Sequence, residues 1–418
     1  MIVALAGTVV LLGVGWALRR AIPVRGPLTA IVPAAILGGF VALALRAADV
    51  LPGSPTAWQD VAYHLFGISF LAIGLTPTGT GRLAKGALWM GIGQWATFSL
   101  QAAAGGLIAL WIGTLSPGFG FLAPMGLNEG PGQALSIGRL WEADYGFADA
   151  ASIGATMASV GFVIAYLGGL VVARRRPLAA GPSRPSGYRV RWRTVAMAAG
   201  IAAGYAALYL VVSLGLGAIA PGVVDLVLGV LFFVALLVGM AVRWLLGRAG
   251  ISIDGDETRQ VTVVAVDGLT VAILGSLTWG AVSGVAGPLV AVLVGAVVAT
   301  VAVIVVARRW IDAWRTERSL ALFGTVTGTA ASGLALLALT DPEMESPVGV
   351  ELGAMVVVSA PVVLGGIALS TAAASGSVRE GTATGVFLGI GLASLAVLAL
   401  VVRRIGESAA PTPEHGVG

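Results

Sequence analysis

Residues 118–138 read GFGFLAPMGLNEGPGQALSIG. Apolar side chains dominate, but Gly118, Gly120, Gly126, Gly130, Gly132 and Gly138, with Pro124 and Pro131, interrupt them throughout. No run is long enough to cross a bilayer, which takes about 20 residues of helix. In the middle stands the dipeptide Asn128-Glu129, which puts a carboxylate among apolar neighbours. The stretch is too broken for a spanning helix and too apolar for a loop. Irregular backbone at membrane depth persists only where protein or a water-filled cavity satisfies its N–H and C=O groups. The stretch therefore reads as a re-entrant segment, 115–140, entering and leaving the membrane on one side.

The composition of the chain fits that setting. Of 418 residues, 57% are hydrophobic and 11% charged, against about 25% charged in soluble domains. The absence of cysteine removes disulfide, thiolate and cysteine–metal chemistry, and two histidines, His64 and His415, cannot build a histidine-rich metal centre. No cofactor is expected. The net charge of +4 follows from where the arginines stand and implies no nucleic-acid partner.

Apolar runs place spans near 2–18, 28–46, 60–78, 86–113, 149–173, 194–217, 222–242, 260–283, 286–307, 347–373 and 382–402, about eleven in all. A second apolar stretch, 319–340, is broken like the first by Gly, Thr and Ser. If both broken stretches return to their own side, every Lys and Arg except Arg46, Arg139 and Arg379 falls on one face of the membrane. Basic residues collect in cytoplasmic loops, so that face is inside, the N-terminus outside and the C-terminus cytoplasmic. The expected location is the bacterial inner membrane. The first span lacks a basic leader and reads as a retained helix.

The Pro-, Ser- and Arg-rich stretch 177–193 reads as a cytoplasmic linker between an N-terminal half, 1–176, and a C-terminal half, 194–375. Residues 376–418 add a further helix and a tail. Each half holds four spans, a broken segment and another span. Gly67, Ser69 and Gly74 recur as Gly268, Thr270 and Gly275 at a constant offset of 201. The first half starts outside and the second inside, so a duplication would be inverted, the plan of many secondary transporters.

Interrupted helices present unpaired N–H groups to anions and carbonyls to cations. In the first break Gly130 and Gly132 permit close backbone approach, and Gln133 and Ser136 offer hydrogen bonds. Glu129 is costly against lipid and is expected to face a cavity or partner, as coupling-ion ligand, proton carrier or counter-charge of a cationic group. Pairing of Glu129 with Arg139 is one further option. In the second break, Thr325, Thr327, Thr329 and Ser332 supply hydroxyls beside Gly328. A sodium ion is expected near Glu129 and Thr329. His64 and Asp267, in the third span of each half, are candidates for an ion or proton pathway. Glu351 reads as interfacial, and Trp89, Trp95, Trp111, Trp141, Trp192, Trp244, Trp310 and Trp314 as interface anchors.

The run GPGQALSIGRLWEADYGFADAASIGATMASVGFVIAYLGGLVVAR, 130–174, resembles the first signature region of bacterial sodium/glutamate symporters. Gly130 and Gly132 fall on motif glycines, Arg139 on a basic position and Tyr145-Gly146-Phe147 on a turn; Thr329 matches a threonine of the second region. The resemblance implies an elevator-type fold of two inverted five-helix repeats, each with a re-entrant segment, in a homodimer. It implies sodium-coupled uptake of glutamate or a related amino acid or organic acid. Glu129, Pro131 and Gln133 depart from that family's Gly, His and Thr, and a carboxylate there opposes a dianionic ligand. The alternatives are a proton-coupled carrier, an exporter of another organic solute, a non-transporting membrane protein and a membrane-embedded enzyme. No paired nucleophile and base occurs to favour an enzyme.

Overall fold

The computed structural model describes residues 1–21, 34–77, 85–173, 191–219, 231–277, 283–311, 313–337 and 346–404, with 224, 227–228 and 340–341. Most of the expected linker 177–193, the tail after 404 with His415, and the starts of the spans at 28–46 and 222–242 lie outside the described residues.

Every regular element among the described residues is helical. In chain order they are α1 Ile2–Ala21, α2 Ala34–Ala47, α3 Pro55–Leu75, α4 Lys85–Ile112, α5 Leu122–Leu127, α6 Pro131–Tyr145, α7 Ala150–Ala173 and α8 Trp192–Leu210. They continue as α9 Leu231–Arg248, α10 Gly255–Ser276, α11 Ala286–Ala307, α12 Arg315–Val326, α13 Ala330–Leu337, α14 Val348–Ala374 and α15 Glu380–Arg404. Nine helices among the described residues are long and apolar enough to cross a membrane, so the chain has the architecture of a polytopic helical membrane protein. Of the expected spans, α2 is described over only a short apolar helix, and α3, carrying Gln59, Asp60 and His64, is not among the nine.

Local chemistry sets several helix starts. Ser54 accepts from the Ala57 N–H ahead of Pro55 at the first position of α3. Asp254 accepts from the Asp256 and Glu257 N–H groups at α10. Each side chain takes a donor that no helical carbonyl can reach.

The helices sort into two bundles. In the first, α1, α2, α3 and α10 share a core around Trp58, Phe66 and Leu269, and α8 and α9 join through Leu71, Tyr205 and Ala235. In the second, α4 runs through the centre, with α11, α14, α15 and both broken segments around it. Apolar burial drives little association in lipid, so helix contacts rest on close packing of small residues. A Cβ on Gly105 of α4 would meet the Gly120 carbonyl oxygen at 2.1 Å, and one on Gly74 of α3 the Leu236 carbonyl oxygen of α9 at 2.3 Å.

Three buried groups correct the sequence reading. Trp89 and Trp141, expected at the interface, are fully buried: their indole N–H groups donate to the Ala307 carbonyl at 3.0 Å and to Thr371 Oγ1 at 3.2 Å. With that polar handle satisfied, an indole packs as a core side chain. Trp111 and Trp192 remain 86% and 76% exposed, as anchors do. Glu351, expected at the interface, is buried in a two-pronged ion pair with Arg318 at 2.7 and 2.8 Å. Gly86 makes room for that pair, since a Cβ there would lie 2.0 Å from Glu351 Oε2.

Candidate functional site

Both broken stretches are helical hairpins. In the first, a 3-10 turn, Phe119–Phe121, leads into α5, the chain breaks at 128–130, and α6 runs back. A Cβ on Gly118 would meet the Trp141 ring at 3.2 Å, and the rings of Phe119 and Phe147 stack at 6.2 Å. A continuous helix would hold those pairs roughly 35 and 42 Å apart. In the second, α12 ends at Val326 and α13 returns from Ala330. Gly324 lies against the Gly333 backbone, within 2.9 Å of a built Cβ.

The hairpins meet at their tips. A Cβ on Gly130 would stand 2.9 Å from Thr329 Cγ2 and 3.2 Å from the Gly328 carbonyl oxygen. Gly130 has φ 88° and ψ −179°, a conformation open essentially to glycine alone. Pro131 then starts α6, where its missing N–H costs nothing. Four helix ends converge here: the C-terminal carbonyls of α5 and α12 and the N-terminal N–H groups of α6 and α13. Helix N-termini carry partial positive charge and C-termini partial negative charge.

Sequence reading missed the wall behind the tips. Gln94, Thr97 and Gln101 of α4 lie on one face at intervals of three and four, and all three are buried. Gln94 Nε2 donates to Glu129 Oε1 at 3.1 Å and lies 2.9 Å from the Asn128 amide, whose other end is 3.2 Å from Thr97 Oγ1. Gln101 Nε2 donates to the Val326 carbonyl at 2.9 Å and to Thr300 Oγ1 of α11 at 2.8 Å. One helix thus ties the tip of the first hairpin to the last turn of the second. The signal was a polar stripe inside a 28-residue apolar helix.

The expected binding residues fall out as follows. Glu129, Gly130, Gly328 and Thr329 stand at the junction, with Glu129 half-buried. Gly132 packs on Phe66 of the first bundle, where a Cβ would meet the ring at 2.3 Å. Three hydroxyls spend their protons on their own helices: Ser136 on the Gly132 carbonyl (2.9 Å), Thr325 on Ala321 (2.8 Å) and Thr327 on Phe323 (2.6 Å). They can accept from a ligand but have no proton left to donate. Buried polar atoms without a partner remain at Gln94 Oε1, Gln133 Nε2 and Ser332 Oγ.

Other expectations are redirected. Arg139 is engaged by Asp60 at 2.9 Å and turns to Gln59 and the Thr56 carbonyl, so it does not pair with Glu129. His64 belongs to an aromatic cluster with Tyr63, Tyr205 and Tyr209, its Nδ1 3.2 Å from the Tyr205 hydroxyl. Asp267 lies on α10, also in the first bundle. The structure does not bring these two together with the tips. No cluster of His and carboxylates that could hold a metal occurs among the described residues; a sodium site would rest instead on Glu129 and neutral oxygens. Comparison of the chain with protein-family models and with curated proteins gives no match.

Proposed function

We propose that this protein is a secondary active transporter of a small organic solute, and that the junction of the two hairpin tips is its binding site. The observation that carries the reading is the contact of Gly130 with Gly328 and Thr329, two chain breaks about 200 residues apart that converge with four helix ends. Unsatisfied backbone of this kind is tolerated at membrane depth where it lines a cavity, and opposed half-helices suit a ligand with separated charges.

The division into two bundles supports an elevator-type movement. Both hairpins pack around α4 of the second bundle, with Leu135 of α6 reaching the core of the first, and the first shows no break of this kind among the described residues. In that reading the second bundle carries the solute past the first, the hairpins are re-entrant, and the halves are inverted repeats. The mutual packing of α3 with α10, and of α4 with α11, supports this, because equivalent helices meet at a pseudo-two-fold axis. The resemblance to sodium/glutamate symporters supplies the rest: sodium as coupling ion at Glu129 and Thr329, an amino acid or related organic acid as solute, a homodimer, and the bacterial inner membrane. Proton coupling is the second reading, favoured by the lone half-buried carboxylate of Glu129.

Purified protein in proteoliposomes tests this. The expected result is saturable uptake of an amino acid or small carboxylate driven by an inward sodium gradient. Uptake that tracks a pH gradient and ignores sodium would replace sodium by the proton. No uptake under either gradient would overturn the transporter.

A further inference from the structure

Charge at the junction selects a ligand class. Residues 128–130 and 327–329 contain one charged side chain, Glu129. Arg139 and Arg318 are already neutralised away from the tips, and Arg315 opens α12 at the end opposite its tip. Arg139 stands nine residues beyond Gly130, roughly 14 Å along α6, and pairs with Asp60. Arg318 stands near the start of α12 and pairs with Glu351. The wall behind the tips, Gln94, Thr97 and Gln101, is neutral.

The hydrogen-bonding groups lean the same way. With its NH2 directed at the carboxylate, 3.1 Å away, Gln94 leaves its Oε1 without a partner although the residue is only 5% exposed. The Ser136, Thr325 and Thr327 hydroxyls retain acceptor capacity alone. An ammonium group brings three N–H donors and one positive charge, which matches a carboxylate beside the unpartnered Gln94 amide oxygen. Donors are fewer. The Gly132 and Gln133 N–H groups precede the first backbone bond of α6, from the Ala134 N–H to the Gly130 carbonyl, and Gln133 Nε2 is free. That helix N-terminus and amide suit one carboxylate. A second carboxylate finds no counter-charge and meets Glu129, a costly arrangement away from water.

We infer that the junction binds its solute through an ammonium group seated against Glu129 and Gln94, so that its ligands are small zwitterionic or cationic amines and not dicarboxylates. The inference rests on reading the junction as a binding site and does not depend on transport. Binding in detergent without uptake in liposomes would overturn the transporter and leave the inference standing; uptake of a dicarboxylate would do the reverse.

The test is calorimetric titration of the full-length protein in detergent, in potassium phosphate at constant ionic strength. The probes are alanine, lysine and putrescine against glutamate and succinate, with sodium chloride as a separate arm. The expected result is saturable binding of at least one amine, weakened ten-fold or more by Glu129→Gln. The double variant Gln94→Glu with Glu129→Gln, which moves the charge across one hydrogen bond, is expected to restore it. A purely structural role for Glu129 predicts no such restoration. Should Glu129→Gln fail to fold, Gln94→Glu alone decides: a second carboxylate should favour putrescine over alanine by at least ten-fold relative to wild type, and an unchanged preference refutes the inference. Saturable binding of glutamate or succinate, amine binding that survives Glu129→Gln, or a response to sodium with none to any amine would each overturn it.

Discussion

Replacing Gly130 by alanine tests whether the hairpin tips meet as described. The substitution acts twice. At φ 88° and ψ −179° an alanine sits in a region that costs about 1–3 kcal/mol. Its Cβ also stands 2.9 Å from Thr329 Cγ2 and 3.2 Å from the Gly328 carbonyl oxygen, and overpacking of this kind costs about 1–3 kcal/mol. Together they come to roughly 2–6 kcal/mol, a large share of the stability of most folded domains. Two companions separate the terms. Gly146→Ala has positive φ, 68°, with nothing within 4 Å of its Cβ, so it carries backbone strain alone, about 1–2 kcal/mol. Thr329→Ser in the Gly130→Ala background removes the methyl that the new Cβ meets, and should recover part of the packing cost while leaving the strain. The assay is the Tm of purified protein in one detergent, followed by loss of soluble, monodisperse protein. The expected order of loss is Gly130→Ala, then the double variant, then Gly146→Ala. If Gly130→Ala melts no lower than Gly146→Ala, or if Thr329→Ser gives no recovery, the tips do not touch and the junction is wrong.

Glu351→Gln leaves the Arg318 guanidinium buried without its counter-charge, which costs about 3–5 kcal/mol; Arg318→Met with Glu351→Leu should recover most of that, and the same Tm assay distinguishes them. Asp60→Asn removes the partner of Arg139 from a pair whose side chains are 28% and 45% exposed, so the loss should stay under about 1 kcal/mol; a Tm drop matching that of Glu351→Gln would contradict the difference in burial. Gln101→Leu strips the Val326 carbonyl and Thr300 hydroxyl of their donor, a loss of about 1–3 kcal/mol. Hydrogen exchange at residues 324–329 reports it, with faster exchange than wild type expected and an unchanged rate counting against the tie between hairpins.

Much of the frame was legible in the chain. A helix satisfies its backbone within its own segment, so a run of apolar residues announces itself without knowledge of any partner, and α4, α7, α11 and α14 were placed to within a few residues. The breaks were legible for the same reason: Gly130-Pro131 and Gly328 interrupt apolar sequence where nothing local repairs the ladder. The tryptophans show where such reading stops. Trp89 and Trp111 are the same residue type near the two ends of one helix, yet one is fully buried and the other 86% exposed. Only the neighbouring helices distinguish them.

Sequence alone therefore determined a polytopic helical membrane protein with two interrupted segments and one carboxylate between apolar neighbours. Those are properties of backbone satisfaction and solvation, which depend on residues a few positions apart. Tertiary structure decided that the interruptions meet tip to tip, that Gln94, Thr97 and Gln101 form their common wall, and that Asp60 and Glu351 engage Arg139 and Arg318 away from Glu129. These contacts join residues far apart in the chain, up to 225 positions for Gln101 and Val326. No local pattern encodes such a pairing, because it follows from how whole helices pack.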